Sequence, residues 1–144
     1  MNGDAATRYQ RYWEELTPAT VERLRDLATP DMRFADPFND VVGVDKVIAV
    51  LRAGFADAEG LAFDFRDRAQ SVGGTWYYRW QCRFRPRRFK GPPWVIEGMS
   101  EVRFDAAGRV VEHVDHWDAG GQFYARIPVL GWLIGLVRKR LRVD

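Results

Sequence analysis

Apolar positions recur with helical spacing through the first third of the chain. Tyr9, Tyr12, Trp13 and Leu16 stand at i, i+3, i+4 and i+7, the stripe that one face of a helix buries. Thr17 followed by Pro18 suits an N-cap and a first helical residue. A second helix is therefore expected, with Val21, Leu24, Leu27 and Ala28 inward and Pro30 beyond its end. A short strand from Met32 to Asp36 then runs into the turn-rich stretch DPFNDVVG. Val44, Val47, Ile48, Leu51 and Phe55 mark the buried stripe of a third helix, and Gly60 fits its stop.

Beyond residue 60 the period drops to two. Residues 61–72 alternate early and end at Gly73-Gly74, a hairpin turn. The next strand puts Trp76, Tyr78, Trp80, Cys82 and Phe84 on one face, with Tyr77, Arg79, Gln81 and Arg83 on the other. A connection rich in Arg, Pro and Gly (85–93) precedes the strand WVIEGMSEVRF. The turn DAAG (105–108) leads into RVVEHVDHWD. Alternation there groups Val111, His113, Asp115 and Trp117 against Val110, Glu112, Val114, His116 and Asp118. From Gly120 the pattern is helical again. Three helices with one short strand, four long antiparallel strands and a tail helix predict an α+β fold, a curved sheet wrapped on helices.

Composition narrows the class without changing this picture. With 144 residues, 47% of them hydrophobic and 29% charged, the chain is long enough for one well-packed domain. A net charge of +2 is too mild to argue for nucleic acid. RFRPRRFK interleaves arginine with phenylalanine, a mixture able to grip single strands, but on a hairpin connection it is read as a solvated rim. The single cysteine, Cys82, forms no intrachain disulfide and fits a reducing compartment. The start lacks the basic and apolar regions of a signal peptide, and the longest apolar run is too short to span a bilayer. A cytoplasmic location is expected. No phosphate loop or dinucleotide fingerprint occurs, so no cofactor is expected. No metal is expected either, because His113 and His116 fall on opposite faces of one strand. Glu97 and Glu101 are expected to pair with arginines across the strands.

The order of elements, the turn FADPF at 34–38 and the stretch EVRFDAAGRVVEHVDHWD resemble the NTF2-like superfamily over residues 7–118. That group includes ketosteroid isomerases, SnoaL-type polyketide cyclases, scytalone dehydratase and limonene epoxide hydrolase. The resemblance implies a cystatin-like, cone-shaped α+β barrel spanning 1–118, whose mouth holds a small apolar ligand. It also implies a homodimer through the outer sheet face. Carried over residue by residue, it makes Asp36 the general base and Tyr12, preceded by Arg11, the oxyanion donor. The second oxyanion acid of ketosteroid isomerase falls on Ser100, a departure from that pattern. By the same analogy the Trp117 face lines the cavity. His113 and Asp115 then assist inside it, with Trp76, Tyr78, Trp80, Ile96, Gly98, Ser100 and Trp117 as ligand-contacting walls.

The chemistry behind those roles is general. A carboxylate walled by aromatics loses hydration, which favours its protonated form and suits it to general-base work. A tyrosine hydroxyl can stabilise a developing oxyanion, and a histidine can move a proton or orient the base. Asp115 is an alternative base, because SnoaL-type cyclases carry theirs on a late strand. A non-catalytic module that binds an apolar ligand or a partner protein is the alternative function.

Residues 119–144 join an apolar stretch to a basic end. With a helix starting at Val129, Leu130, Leu133, Ile134 and Val137 share a side, and Arg138, Lys139, Arg140 and Arg142 gather at its C-terminus. Three uses stay open: packing on the barrel or a dimer partner, contact with an anionic membrane surface, or a lid over the cone.

Overall fold

A computed structural model describes residues 2–143. Six strands form one sheet in the order β2-β1-β6-β5-β4-β3. They are β1 (Ala28–Ala35), β2 (Asp40–Val42), β3 (Ala58–Gln70), β4 (Trp76–Pro86), β5 (Trp94–Phe104) and β6 (Val110–His116). Every neighbouring pair is antiparallel except β1 with β6, which run parallel. Helices α1 (Asn2–Glu14) and α3 (Val44–Asp57) cover the inner face of the curved sheet. The fold is the expected NTF2-like α+β architecture. The sheet does not close into a full barrel: the three-residue β2 and the long β3 remain its two edges.

The helical stripes bury as their spacing dictates. Tyr9, Tyr12, Trp13 and Leu16 of the first stripe and Val44, Val47, Ile48 and Leu51 of α3 are all in the core. The second helix is much shorter than Thr17 and Pro18 suggest. Thr17 to Thr20 close a turn in which the Thr20 hydroxyl accepts from Thr17 N at 2.9 Å. Helical structure begins only at Val21, as a 3-10 turn (Val21–Arg23) running into α2 (Leu24–Leu27). Ala28, expected on that helix, instead opens β1. Pro30 lies in the stretch of β1 where pairing with β6 skips from Ala28 to Arg33, so its missing N–H costs no ladder bond.

Irregularities in the pairing reset strand faces in β3, between Glu59 and Ala62 and again between Phe65 and Asp67, and in β6. Gly60 does not stop α3; it sits inside β3 with φ 63, where the pairing with β4 slips between Glu59 and Ala62. A left-handed glycine is what such a bulge requires. In β6 the register jumps from Arg103↔Glu112 to Phe104↔Val110, leaving Val111 as the extra residue. Simple alternation therefore fails at that end. Val110 is fully buried, with His113, while Val111 is half-buried.

The tail comprises a four-residue helix α4 (Ala119–Gln122), a 3-10 turn (Tyr124–Arg126) and helix α5 (Leu130–Leu141). Gln122 stitches the first part to the sheet where β6 has ended. Its amide donates to the Glu97 carbonyl at 2.9 Å and accepts from Glu97 N at 2.7 Å, standing in for a further rung of the ladder. No residue of α5 is buried. No helix among the described residues is long and apolar enough to cross a membrane.

Candidate functional site

Strand pairing brings the polar groups of the concave face together. Ser100 on β5 is directly opposite Asp115 on β6, and Val102 is opposite His113. From these positions a continuous hydrogen-bonded chain forms. The Trp80 indole donates to Ser100 Oγ at 2.8 Å, and Ser100 donates to Asp115 Oδ1 at 2.5 Å. His113 Nε2 lies 2.7 Å from the same Oδ1, and His113 Nδ1 lies 2.7 Å from the Tyr9 hydroxyl.

The tautomer follows from what the tyrosine must do. Tyr9 is 1% exposed and its hydroxyl meets no other acceptor among the described residues, so its proton is satisfied only by donation to His113 Nδ1. Nδ1 is then an acceptor, the ring proton sits on Nε2, and Nε2–H donates to Asp115. Burial pushes the Tyr9 hydroxyl well above its ordinary pKa, opposed only in part by the Trp13 indole. Tyr9 therefore stays a neutral donor across the working pH range. Asp115 Oδ1 receives two bonds, and among the described residues Oδ2 receives none.

That carboxylate borders a cavity of about 190 Å³ between the sheet, α1 and α3. Its walls are mostly aromatic and aliphatic, with Trp13, Phe34, Phe63, Trp80 and Trp117 prominent. At the rim, Phe38 meets Trp117 and Phe123 edge-on, with ring centroids 5.5 and 5.2 Å away. Cys82 also faces the cavity, and burial pushes its thiol up to about 12.

Asp36 borders the same cavity but is bound to its own turn. Its Oδ1 accepts from Phe38 N at 2.8 Å, Asn39 N at 2.7 Å and Asn39 Nδ2 at 3.1 Å. This is the self-capping of an Asx turn, and it leaves Oδ2 the less occupied oxygen, with one bond from Asn39 Nδ2 at 3.3 Å. Tyr12 does not border the cavity. It is one turn of α1 away from Tyr9, and its hydroxyl donates to the Val21 carbonyl at 2.9 Å. His113 sits behind Asp115 and orients that residue rather than Asp36.

Of the expected walls, Trp80, Ile96 and Trp117 line the cavity, and Trp76, Tyr78, Gly98 and Ser100 do not. Tyr78 is in the core, where its hydroxyl donates to the Ala6 carbonyl at 2.8 Å. Arg68 stacks over Trp76, 5.5 Å from its ring centre. Gly98 and Ser100 lie behind the Trp80 ring. On the outer face, Glu101 bonds His116 at 3.0 Å and Glu97 accepts from Gln81 at 2.6 Å. Among the described residues neither pairs with an arginine as expected: the residues opposite them on β4 are Tyr77 and Gln81.

Tyr9 was readable only as helix core. Its stripe is evident in the sequence, but its partner lies 104 residues away. Leu51, Phe63 and Phe123 were likewise not anticipated as cavity walls.

The sequence matches the family described as SnoaL-like domain over residues 9–113. No curated protein matches it. Several solved structures share the fold. An NTF2-like protein of unknown function from Exiguobacterium sp. 255-15 is 18% identical with a TM-score of 0.68, over 79% of this chain and 98% of that one. A protein assigned as a SnoaL-like polyketide cyclase from Jannaschia sp. CCS1 is 17% identical with a TM-score of 0.66, over 81% and 85%. An LEH-like epoxide hydrolase from M. tuberculosis is 14% identical with a TM-score of 0.68, over 99% and 96%. At such identities the likeness establishes the fold.

Proposed function

The chain belongs to the SnoaL-like domain family, and from that premise we propose that it is a cofactor-free acid–base enzyme acting on a small apolar carbonyl compound, with Asp115 as the base. The observation that carries the reading is the state of Asp115: one oxygen is held by Ser100 and His113, the other takes no hydrogen bond among the described residues, and the residue lines an apolar cavity. A carboxylate oriented by two donors abstracts a proton without first reorganising, which is where general-base catalysis gains its rate.

In the proposed step Asp115 Oδ2 takes a proton from the carbon next to the carbonyl. The C–H electron pair moves into the enolate, and its charge goes to the carbonyl oxygen. In a β,γ-unsaturated ketone, return of the proton from Asp115 to the γ carbon completes an isomerisation. In a dicarbonyl compound, attack of the enolate carbon on the second carbonyl carbon pushes that π pair onto oxygen, and the resulting alkoxide takes the proton back from Asp115 to complete a cyclisation. Cavity size bounds the substrate. An engineered cavity of about 150 Å³ holds benzene, so about 190 Å³ encloses a compound of one ring.

One observation favours a second reading, an apolar-ligand binding module without chemistry. The Tyr12 hydroxyl is already bound to Val21, so it is not free to stabilise an enolate.

The two readings part in deuterium oxide. Small cyclic ketones incubated with the protein are followed by proton NMR for loss of the signals next to the carbonyl. Catalysed exchange that falls by about 10²–10⁴ in Asp115→Asn supports the enzyme. Ketone binding with no exchange above buffer overturns it in favour of the binding module.

A further inference from the structure

Helix α5 leaves the domain with its apolar surface uncovered. Trp132 is 67% and Leu141 76% exposed, and Leu133, Leu136 and Val137 are about half-exposed. The helix approaches the protein at Gly131, where a Cβ would collide with the Ala125 carbonyl oxygen, while Gly135 one turn on lies in open space. With 3.6 residues per turn, Gly131 and Gly135 continue along the helix into Arg138, Lys139 and Arg142. Gly135 and these three cations outline a shallow groove. The wide opposite arc carries Trp132, Leu133, Leu136, Val137 and Leu141, all of them exposed.

Charge indicates what covers that arc. Residues 119–144 contain five Lys or Arg and a single acid, the last residue Asp144, in a chain whose totals are 22 and 20. One of the five, Arg126, is stacked on Trp94, 5.1 Å from its ring centre; the other four are on or next to the last turn of α5. Arg140 falls within the apolar arc, between Leu133 and Leu136 around the helix. A protein partner covering the arc would bury that guanidinium and would have to supply an acid for it. A bilayer imposes no such demand, because the arginine stem lies in the acyl region while its head reaches the phosphates. The exposed Trp132 suits the same boundary. Twelve residues rise about 18 Å, well short of the roughly 30 Å hydrocarbon core, so the helix lies in the interface and does not span it.

We infer that α5 is a docking helix for anionic phospholipid surfaces. Its apolar arc enters the headgroup boundary and its basic groove binds lipid phosphates. The inference is independent of the reaction assigned to the cavity. It does place the cavity usefully, since Phe123 and Tyr124 at the rim lead directly into the segment that carries α5.

Co-sedimentation of the full chain with vesicles tests this. Phosphatidylcholine vesicles containing phosphatidylserine should carry the protein down, pure phosphatidylcholine should not, and added salt should release it. Substituting Arg138, Lys139 and Arg140 together by Gln should weaken partitioning on the order of a hundredfold. Leu136→Ser should weaken it without altering the circular dichroism or thermal transition of the domain, because that side chain is exposed. Absence of binding to anionic vesicles at low salt overturns the inference. So does equal binding to both vesicle types, or self-association in sedimentation velocity that Leu136→Ser abolishes, which would make a second copy the occupant.

Discussion

The Trp80 indole lies where a side chain at position 98 would begin: a Cβ on Gly98 would sit 2.6 Å from its ring. The two residues face each other across β4 and β5. Only glycine lets the indole lie flat over the neighbouring strand, and that posture aims its N–H at Ser100. The cavity wall and the support of Asp115 therefore depend on one missing methyl group.

Gly98→Ala should displace Trp80 and break its bond to Ser100. Overpacking of this kind costs about 1–3 kcal/mol, a fall in Tm of roughly 3–10 °C for a domain of this size. Thermal unfolding followed by near-ultraviolet circular dichroism measures both the loss and the changed Trp environment.

Tyr9→Phe removes the one donor to His113 Nδ1 among the described residues. The buried nitrogen left behind costs about 1–3 kcal/mol, while Asp115 still holds the ring proton on Nε2. Nitrogen-15 correlation spectra of the imidazole should show the Nε2–H form in both proteins, with the Nδ1 resonance of the variant moved by the loss of its hydrogen bond. A wild type carrying the proton on Nδ1 would overturn the assignment.

Acid should weaken the ion cluster at the β1–β6 seam. Glu112 lies 3.0 Å from Arg33 and 3.1 Å from Arg103, and chiefly the Arg33 bond holds its carboxyl below the ordinary value. A depressed folded pKa contributes stability above the unfolded value, near pH 4.3, and loses it as pH falls through the folded value. Denaturant midpoints of the wild type should exceed those of Arg33→Gln at pH 7. The gap should begin to narrow below about pH 4.3 and close only as both Glu112 and Asp40, which Arg33 also holds at 2.9 Å and below its ordinary value, protonate in the folded state.

Gln122→Ala removes both bonds that hold the α4 segment to Glu97. The loss is about 0.5–1.5 kcal/mol per bond and is confined to the rim of the cavity. Limited proteolysis should cut within residues 119–126 several-fold faster, with the main thermal transition nearly unmoved.

Cys82 should resist thiol reagents in the folded protein. Burial first, and the Asp115 charge second, push its pKa up to about 12, so little thiolate exists at pH 8. Labelling with a chromogenic disulfide should be slow until denaturant is added.

Much of the fold was legible because local periodicity and turn chemistry are written in neighbouring residues. The helical stripe at Tyr9 to Leu16, the twofold strands and the turns at Gly74 and Gly108 all follow from short-range sterics. The same local logic misjudged Thr17 and Gly60, where a turn and a bulge use the residue types that also begin and end helices. At Val111 one inserted residue overrode alternation, and nothing in the adjacent sequence marks it.

The sequence by itself determined the buried stripes of the helices and that a carboxylate and a histidine share one face of β6. Only the tertiary structure decided which tyrosine meets that histidine. Tyr9 and Tyr12 occupy one stripe, a single turn apart, and the packing angle of α1 on the sheet delivers the first to His113 and the second to Val21. It also decided that Asp36 closes its own turn while one oxygen of Asp115 takes no hydrogen bond among the described residues, and that α5 shows its apolar arc to solvent. Contacts between distant residues depend on how whole elements dock, and docking is settled by summed packing over many side chains rather than by any short motif.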